Sequence, residues 1–400
     1  MRISTNSMFE ANVSRINDTQ SSLAKLQQQI STGKRLLTPA DDPLGAAKAL
    51  DLNQGQALNT QYTQNRASVK DALNLQEGAL QSVTDLLQDV RAQVVAAGSG
   101  GLDDSSRKFI ATDLRSRLQE LTSLANSRDG VGNYVFAGFK DNAQPFATAS
   151  NGAVSYNGDN NQKLLQVGAS RQMAANDTGD AVFMNVPASL VYSASSSGGA
   201  AMSSVVVTDS GQVKPGREYQ VTFDTAGTTY SVFDTTTNPG NPTLVTTGPY
   251  NSPQTLAFDG IEIVASGTTT ASSKIDLKPV RSQSVFASMD DLIAALETPV
   301  STPQQRKMLN YKLSAAGENI DNALDKVLTT RASTGSRLKE LDSLDDAGSA
   351  RDIQYADQLS TIQDVDYVKA ISDLSQKQMM LQAAQQSFVK VSGLSLFNYL

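Results

Sequence analysis

Aspartate occurs as a doublet four times, at Asp41-Asp42, Asp103-Asp104, Asp290-Asp291 and Asp345-Asp346. Paired carboxylates are the minimum equipment for general acid–base work or for gripping a divalent cation. Their positions argue for a humbler role. Three doublets precede or open a predicted helix and the fourth lies at a predicted helix break, where capping and the helix dipole favour short acidic side chains. Ser22 with Lys25, like Ser31 with Lys34, has the Ser-x-x-Lys spacing of a serine nucleophile and its lysine base, but the accompanying Lys-Thr-Gly element is missing. "STGKR" lacks the glycine spacing of a phosphate loop, and "GSGG" at 98–101 lies between two helices instead of after a strand, so it reads as a hinge. The chain has no histidine and no cysteine. That removes disulfides, thiolate nucleophiles, imidazole catalysis and most transition-metal sites together. We expect no catalytic residue, no cofactor and no metal, and read the chain as a non-enzyme.

Charge excludes further classes. Lys+Arg 33 against Asp+Glu 40 leaves a net −7 with no basic run, which argues against a nucleic-acid partner. No stretch approaches the roughly eighteen consecutive apolar residues of a membrane span, so no membrane partner is expected. "MRISTNSMFEANVSRIND" has no apolar core of a cleaved secretory signal. A cysteine-free chain suits either redox compartment.

The elements that position these residues are marked by proline. None occurs in 1–38, in 44–144 or after Pro303, whereas nine of the twelve fall between Pro145 and Pro299. The same middle region is rich in Ser, Thr, Gly and Asn and holds Phe146, Tyr156, Tyr219, Phe223, Tyr230, Phe233 and Phe258. Both ends show heptad spacing. Phe9, Ile16, Leu23 and Ile30 recur every seven residues, as do Leu73, Leu80, Leu87 and Val94. Leu313, Ile320, Val327 and Leu341 keep the same phase, and Tyr367, Leu374, Leu381 and Phe388 repeat at seven. Apolar residues at that period form a narrow seam meant for partner helices. Gln76, Gln378 and Gln385 interrupt it.

Helix starts are legible: Asp42 before Pro43, Asp103-Asp104 after the glycine break, and Thr302-Pro303-Gln304-Gln305 as a capping box. Ser288…Asp291 and Ser349…Asp352 fit the same pattern. The spacing predicts helices over 5–32, 43–97, 104–128, 288–297, 303–345 and 350–393. Strands are predicted at 134–139, 164–167, 204–208, 218–223, 229–233, 261–265 and 274–277, with turns at Asn157-Gly158-Asp159 and Asp259-Gly260. The fold class is α+β and multidomain: discontinuous coiled-coil-like helical domains built from both termini, with an inserted mainly-β outer domain over 141–284. A lone terminal helix is marginal unless its seam finds other helices. The C-terminal seam is the expected partner within the chain and the seams of neighbouring copies beyond it, with both ends poorly ordered in the free monomer.

"QQQISTGKRLLTPADDPLGAAKA" (27–49) resembles the loop-and-helix signature of the bacterial flagellin family. "NYVFAGFKDNAQPF", "VSYNGDN" and the C-terminal "QKQMMLQAAQQSFVKVSGLSLFNYL" are similar to one branch of that family, and the chain closes on Phe397-Asn398-Tyr399-Leu400 instead of a Leu-Leu-Arg tail. These matches cover roughly the first 185 residues and the last hundred; in between, only "FDGIEIVASG" looks like β segments of flagellar axial proteins. The resemblance implies a structural adaptor at the hook–filament junction, secreted without signal cleavage through the flagellar type III apparatus. Its implied partners are itself, in a ring of eleven copies, the first hook-associated protein, flagellin and an export chaperone. It implies that 1–42 with 347–400 form an inner tube and that 43–140 with 285–346 form a long-helix bundle. The subunit interface is then expected at Phe9, Ile16, Leu23, Ile30, Tyr367, Leu374, Leu381, Phe388, Leu396 and Phe397, and at Lys34, Arg35, Asp41 and Asp42 in the bridge between layers. Alternative readings are a minor filament subunit, or a secreted adhesin or enzyme on a helical stalk.

Overall fold

The computed structural model describes residues 5–397 except 100, 151, 189, 190, 210 and 215, with side chains described from Glu10 to Lys390 apart from Ser203 and Ser204. Among the described residues six α-helices run in chain order: α1 Thr5–Thr32, α2 Pro43–Ala97, α3 Asp104–Ala125, α4 Val285–Glu297, α5 Pro303–Gln363 and α6 Tyr367–Phe397. The chain divides into two compact units, 1–65 with 342–400, and 66–341. Both divisions fall inside helices, α2 and α5.

Local chemistry explains most helix starts. The Asp42 carboxylate accepts the Gly45 N–H at 2.9 Å, and Pro43 takes the first helical position, where no N–H is needed. Asp103 accepts the Ser106 N–H at 2.8 Å and is held at about 2, chiefly by the Ser106 side chain and N–H. At α5 the box is reciprocal: Gln305 N–H donates to the Thr302 hydroxyl at 3.2 Å while its side-chain oxygen accepts the Thr302 N–H at 3.0 Å. The doublets at 41–42 and 103–104 therefore include capping residues.

Two helix expectations are corrected. The break at 345–350 does not exist: α5 runs unbroken to Gln363 with Asp345-Asp346 and Ser349…Asp352 in its interior. Nothing at 345–350 forces the chain out of a helix, since no proline occurs there and Gly348 is tolerated. α4 is capped by Ser284, whose hydroxyl accepts the Ala287 N–H at 3.0 Å, leaving Ser288 buried inside the helix.

In the unit of 66–341, Leu80, Val83, Leu87 and Val90 of α2 share one core with Leu114 and Leu121 of α3, Met289 and Ile293 of α4, and Leu313, Ile320 and Val327 of α5. An aromatic cluster closes it, with Phe146 5.1 Å from Phe286 and 5.6 Å from Phe183 between ring centroids. Gln76, expected as an interruption, is fully buried here. Its amide donates to Asp177 at 2.7 Å and its carbonyl accepts the Asp177 N–H at 2.8 Å, while Arg337 bonds the same carboxylate.

The strands are β1 Phe146–Thr148, β2 Val154–Tyr156, β3 Leu164–Gly168, β4 Arg171–Ala174, β5 Val186–Pro187, β6 Tyr192–Ser197, β7 Ala200–Val207, β8 Tyr219–Phe223, β9 Thr229–Asp234, β10 Thr243–Pro249, β11 Gln254–Phe258, β12 Ile261–Gly267, β13 Lys274–Pro279 and β14 Ser282–Gln283. All described pairings are antiparallel. A five-stranded sheet, β10-β9-β8-β13-β6, and a three-stranded one, β11-β12-β7, enclose a separate core of Tyr219, Val221, Val232, Leu256, Ile261, Ile263, Ile275 and Leu277. Alternation sets the faces: Tyr219, Val221 and Phe223 point inward, as do Ile261, Ile263 and Ala265. Phe146, Val182, Phe183 and Val186, all within 141–284, pack on the helical core instead. The Asp259-Gly260 turn has φ of 41° and 75°, and a Cβ on Gly260 would lie 2.3 Å from the Asp209 carbonyl oxygen. The expected strand 134–139 is a compact loop: Asp129 accepts the N–H groups of Val131 and Asn133, and Gly138 at φ 66° reverses the chain.

Candidate assembly site

The expected interface residues all lie in the unit of 1–65 with 342–400. α1 and α6 lie side by side there, joined to α2 and α5 by two short connectors, 33–42 and 364–366. These connectors are stitched together. Val365 N–H donates to the Gly33 carbonyl at 2.9 Å, Arg35 N–H to the Gln363 carbonyl at 2.6 Å, and Lys34 and Asp364 form an antiparallel bridge. The Arg35 guanidinium donates to the Ile362 carbonyl at 2.7 Å and lies 3.7 Å from Asp42, while its own carbonyl accepts from Gln29 at 2.6 Å.

Lys25 reaches Asp41 at 2.5 Å, and the other Asp41 oxygen accepts the Leu37 and Thr38 N–H groups at 3.1 and 3.0 Å. The Lys25 ammonium and the Thr38 N–H hold the Asp41 carboxyl at about 2. Gly33, at φ 70°, turns the chain out of α1 where a Cβ would lie 3.0 Å from the Tyr367 hydroxyl. Asp366 restarts the helix by accepting the Val368 and Lys369 N–H groups at 3.0 and 3.2 Å. The α5–α6 break thus sits where a neighbouring strand of backbone and a cap residue coincide.

Packing along the helices is shallow. The described residues buried in this unit are small: Gly45, Ala49, Asn59, Gly348 and Ala370. Ile16, Leu23 and Ile30 of α1 are half-buried, as are Leu374, Leu381 and Phe388 of α6, and Tyr367 is exposed. The side chains of Phe9, Leu396 and Phe397 lie outside the described residues. Lys34 and Arg35 are exposed, whereas Asp41 and Asp42 are half-buried and engaged within the chain.

Sequence reasoning missed a second apolar stripe on α6. Val368 is 83% exposed, Ile371 53% and Met379 65%. At 100° per residue these three fall within a narrow arc, on a face turned away from Leu374, Leu381 and Phe388. A search confined to one heptad phase finds a single face, so the spacing 368, 371, 379 escaped it. Burying such side chains is worth about 1.5–3 kcal/mol each, and the described residues of the unit leave more than half of each exposed. Among the described residues no group of three or more Asp or Glu is placed to hold a metal ion, and no helix is long and apolar enough to cross a membrane. The arrangement offers packing surface and hydrogen-bonded connectors, the chemistry of assembly.

Comparison with known proteins points the same way. The family model of the bacterial flagellin N-terminal helical region matches residues 3–141. The flagellar hook-associated protein 3 of Salmonella typhimurium is 31% identical over 99% of both chains. Among solved structures, FlgL of Xanthomonas campestris is 29% identical with a TM-score of 0.58, covering 77% of this chain and 99% of that one. The flagellar junction protein FlgL from Legionella pneumophila is 26% identical with a TM-score of 0.56, covering 79% and 100%.

Proposed function

This chain belongs to the flagellin family, in the branch of the flagellar hook-associated protein 3, and from that premise we propose that it is the adaptor between hook and filament. It is a structural component of the extracellular flagellum. A ring of eleven copies settles on the first hook-associated protein and presents its other face to flagellin. The chain reaches that place through the type III apparatus, with an export chaperone over Leu374, Leu381 and Phe388 on the way. Residues 1–42 with 347–400 form the inner tube, 43–140 with 285–346 the surrounding bundle, and 141–284 the outer β region.

The observation that carries this reading is the pair α1 and α6, which cover one seam with each other and leave an apolar stripe open. Coupled folding and assembly follows: the terminal helices become fully ordered when neighbouring copies cover them. The subunit interface comprises Phe9, Ile16, Leu23, Ile30, Tyr367, Leu374, Leu381, Phe388, Leu396 and Phe397. Lys34 and Arg35 extend it from a connector that Asp41 and Asp42 hold in shape, and those two carboxylates reach a neighbour by exchanging their intrachain partners. The test is a deletion strain complemented with this chain. Bare hooks with flagellin shed into the medium, restored to filaments by the chain, are expected; intact filaments in the deletion strain rule the adaptor out.

A further inference from the structure

With no cysteine in the chain, methionine is the side chain that a peroxide oxidises. There are nine methionines, and among those described they are not alike. Met173 and Met289 are buried, and Met184, Met202 and Met308 half-buried, whereas the consecutive pair Met379 and Met380 is 65% and 54% exposed. Met379 continues the open stripe of Val368 and Ile371, whereas Met380, 100° further round α6, is exposed on a different face. Met379, the most accessible of the described thioethers, therefore stands on the stripe that assembly is to cover. Thioethers are adaptable packing groups, and sulfoxides are polar ones.

We propose that Met379 is an oxidation-sensitive site whose sulfoxide blocks assembly, a reading that rests on the adaptor function above. The sulfur lone pair attacks a peroxide oxygen, the O–O bond breaks and an S–O bond forms. The peroxide leaves as water, taking up the proton of the transferred hydroxyl. Sulfide is oxidised to sulfoxide and hydrogen peroxide is reduced, with no further reactant. The stripe then carries a polar group at Met379 where packing needs an apolar one. The reaction belongs to the exported chain before incorporation, because neighbouring copies seal the Met379 sulfur afterwards.

The test uses the purified full-length chain and hydrogen peroxide. Peptide mass mapping is expected to show sulfoxide at Met379 and Met380 forming at least about tenfold faster than at Met173 and Met289, as exposure dictates. Supplied to bare hooks of the deletion strain, the untreated chain supports filament growth and the oxidised chain does not. Methionine sulfoxide reductases acting on both sulfoxide epimers restore it. The variant Met379→Gln, polar without oxidation, is expected to lose growth while keeping the thermal midpoint of the parent chain, and Met380→Gln, off the stripe, to keep both. Equal oxidation rates at buried and exposed methionines overturn the site. Undiminished growth with the oxidised chain or with Met379→Gln, or growth lost equally in Met380→Gln, overturns its effect on assembly. An untreated chain that supports no growth refutes the adaptor reading itself, and the proposal falls with it.

Discussion

Asp41 and Gln76 show how single polar residues fix geometry here. The Asp41 carboxyl sits at about 2 against an ordinary 3.8, first because of the Lys25 ammonium and then the Thr38 N–H. A depressed carboxyl contributes stability above its unfolded value and loses it as pH falls through the folded one. Order in the 33–42 connector is therefore expected to fade between pH 3.8 and about 2. An acid titration followed by the Leu37 and Thr38 amide resonances checks this, and Asp41→Asn should abolish the transition. Gln76 bonds Asp177 through both ends of its amide, within the α2 seam. Gln76→Leu adds apolar surface but leaves the Asp177 N–H and carboxylate short of partners, so a loss of about 1–3 kcal/mol is expected in urea unfolding. An unchanged midpoint would mean that water accepts the Asp177 N–H while Arg337 and Gln162 suffice for the carboxylate.

At the scale of elements, the terminal helices and the β sheets differ in how completely they are covered. Among the described residues α1 buries none fully and α6 only Ala370, and α6 leaves Val368, Ile371 and Met379 open. Limited proteolysis of the free chain should cut α1 and α6 before any site in 66–341, since local opening is easiest where few apolar side chains are covered. Terminal helices that outlast the β sheets would contradict coupled folding and assembly. Sequence showed these helices well because their signals are local: Pro43 behind Asp42, the Thr302 box, and seven-residue spacing through Ile16, Leu23 and Ile30. It misplaced the α5–α6 break because Asp345-Asp346 and Ser349 have the look of a helix end. The true break at Asp364–Asp366 depends on Gly33–Arg35, more than three hundred residues away in sequence. β6, a Ser-rich edge strand, and β10, a Thr-rich one with a bulge, showed no apolar alternation to read. The seam half of the candidate site was legible; Val368, Ile371 and Met379 were not, because their phase differs from that of Leu374 and Leu381.

At the scale of the whole molecule, the β body has its own core and leaves the chain at one point. Tyr192 and Pro279, its first and last strand residues, are register partners, and Val280 N–H donates to the Val191 carbonyl at 2.8 Å. Strand partners stand about 5 Å apart, so a short glycine link can close the gap if 193–278 are removed. The excised chain is expected to keep its helical circular dichroism and a cooperative melt, because the core of Leu80, Leu114, Ile293 and Ile320 shares no buried member with the β core. Loss of cooperative unfolding would show that the two cores fold as one. The stitch between Gly33–Arg35 and Gln363–Val365 has a mechanical consequence. Tension entering through either terminus must cross that same small patch of backbone before it reaches α2 or α5. A turning flagellum would load both ends of the polypeptide through a single rivet, and slippage there would release the two tails together.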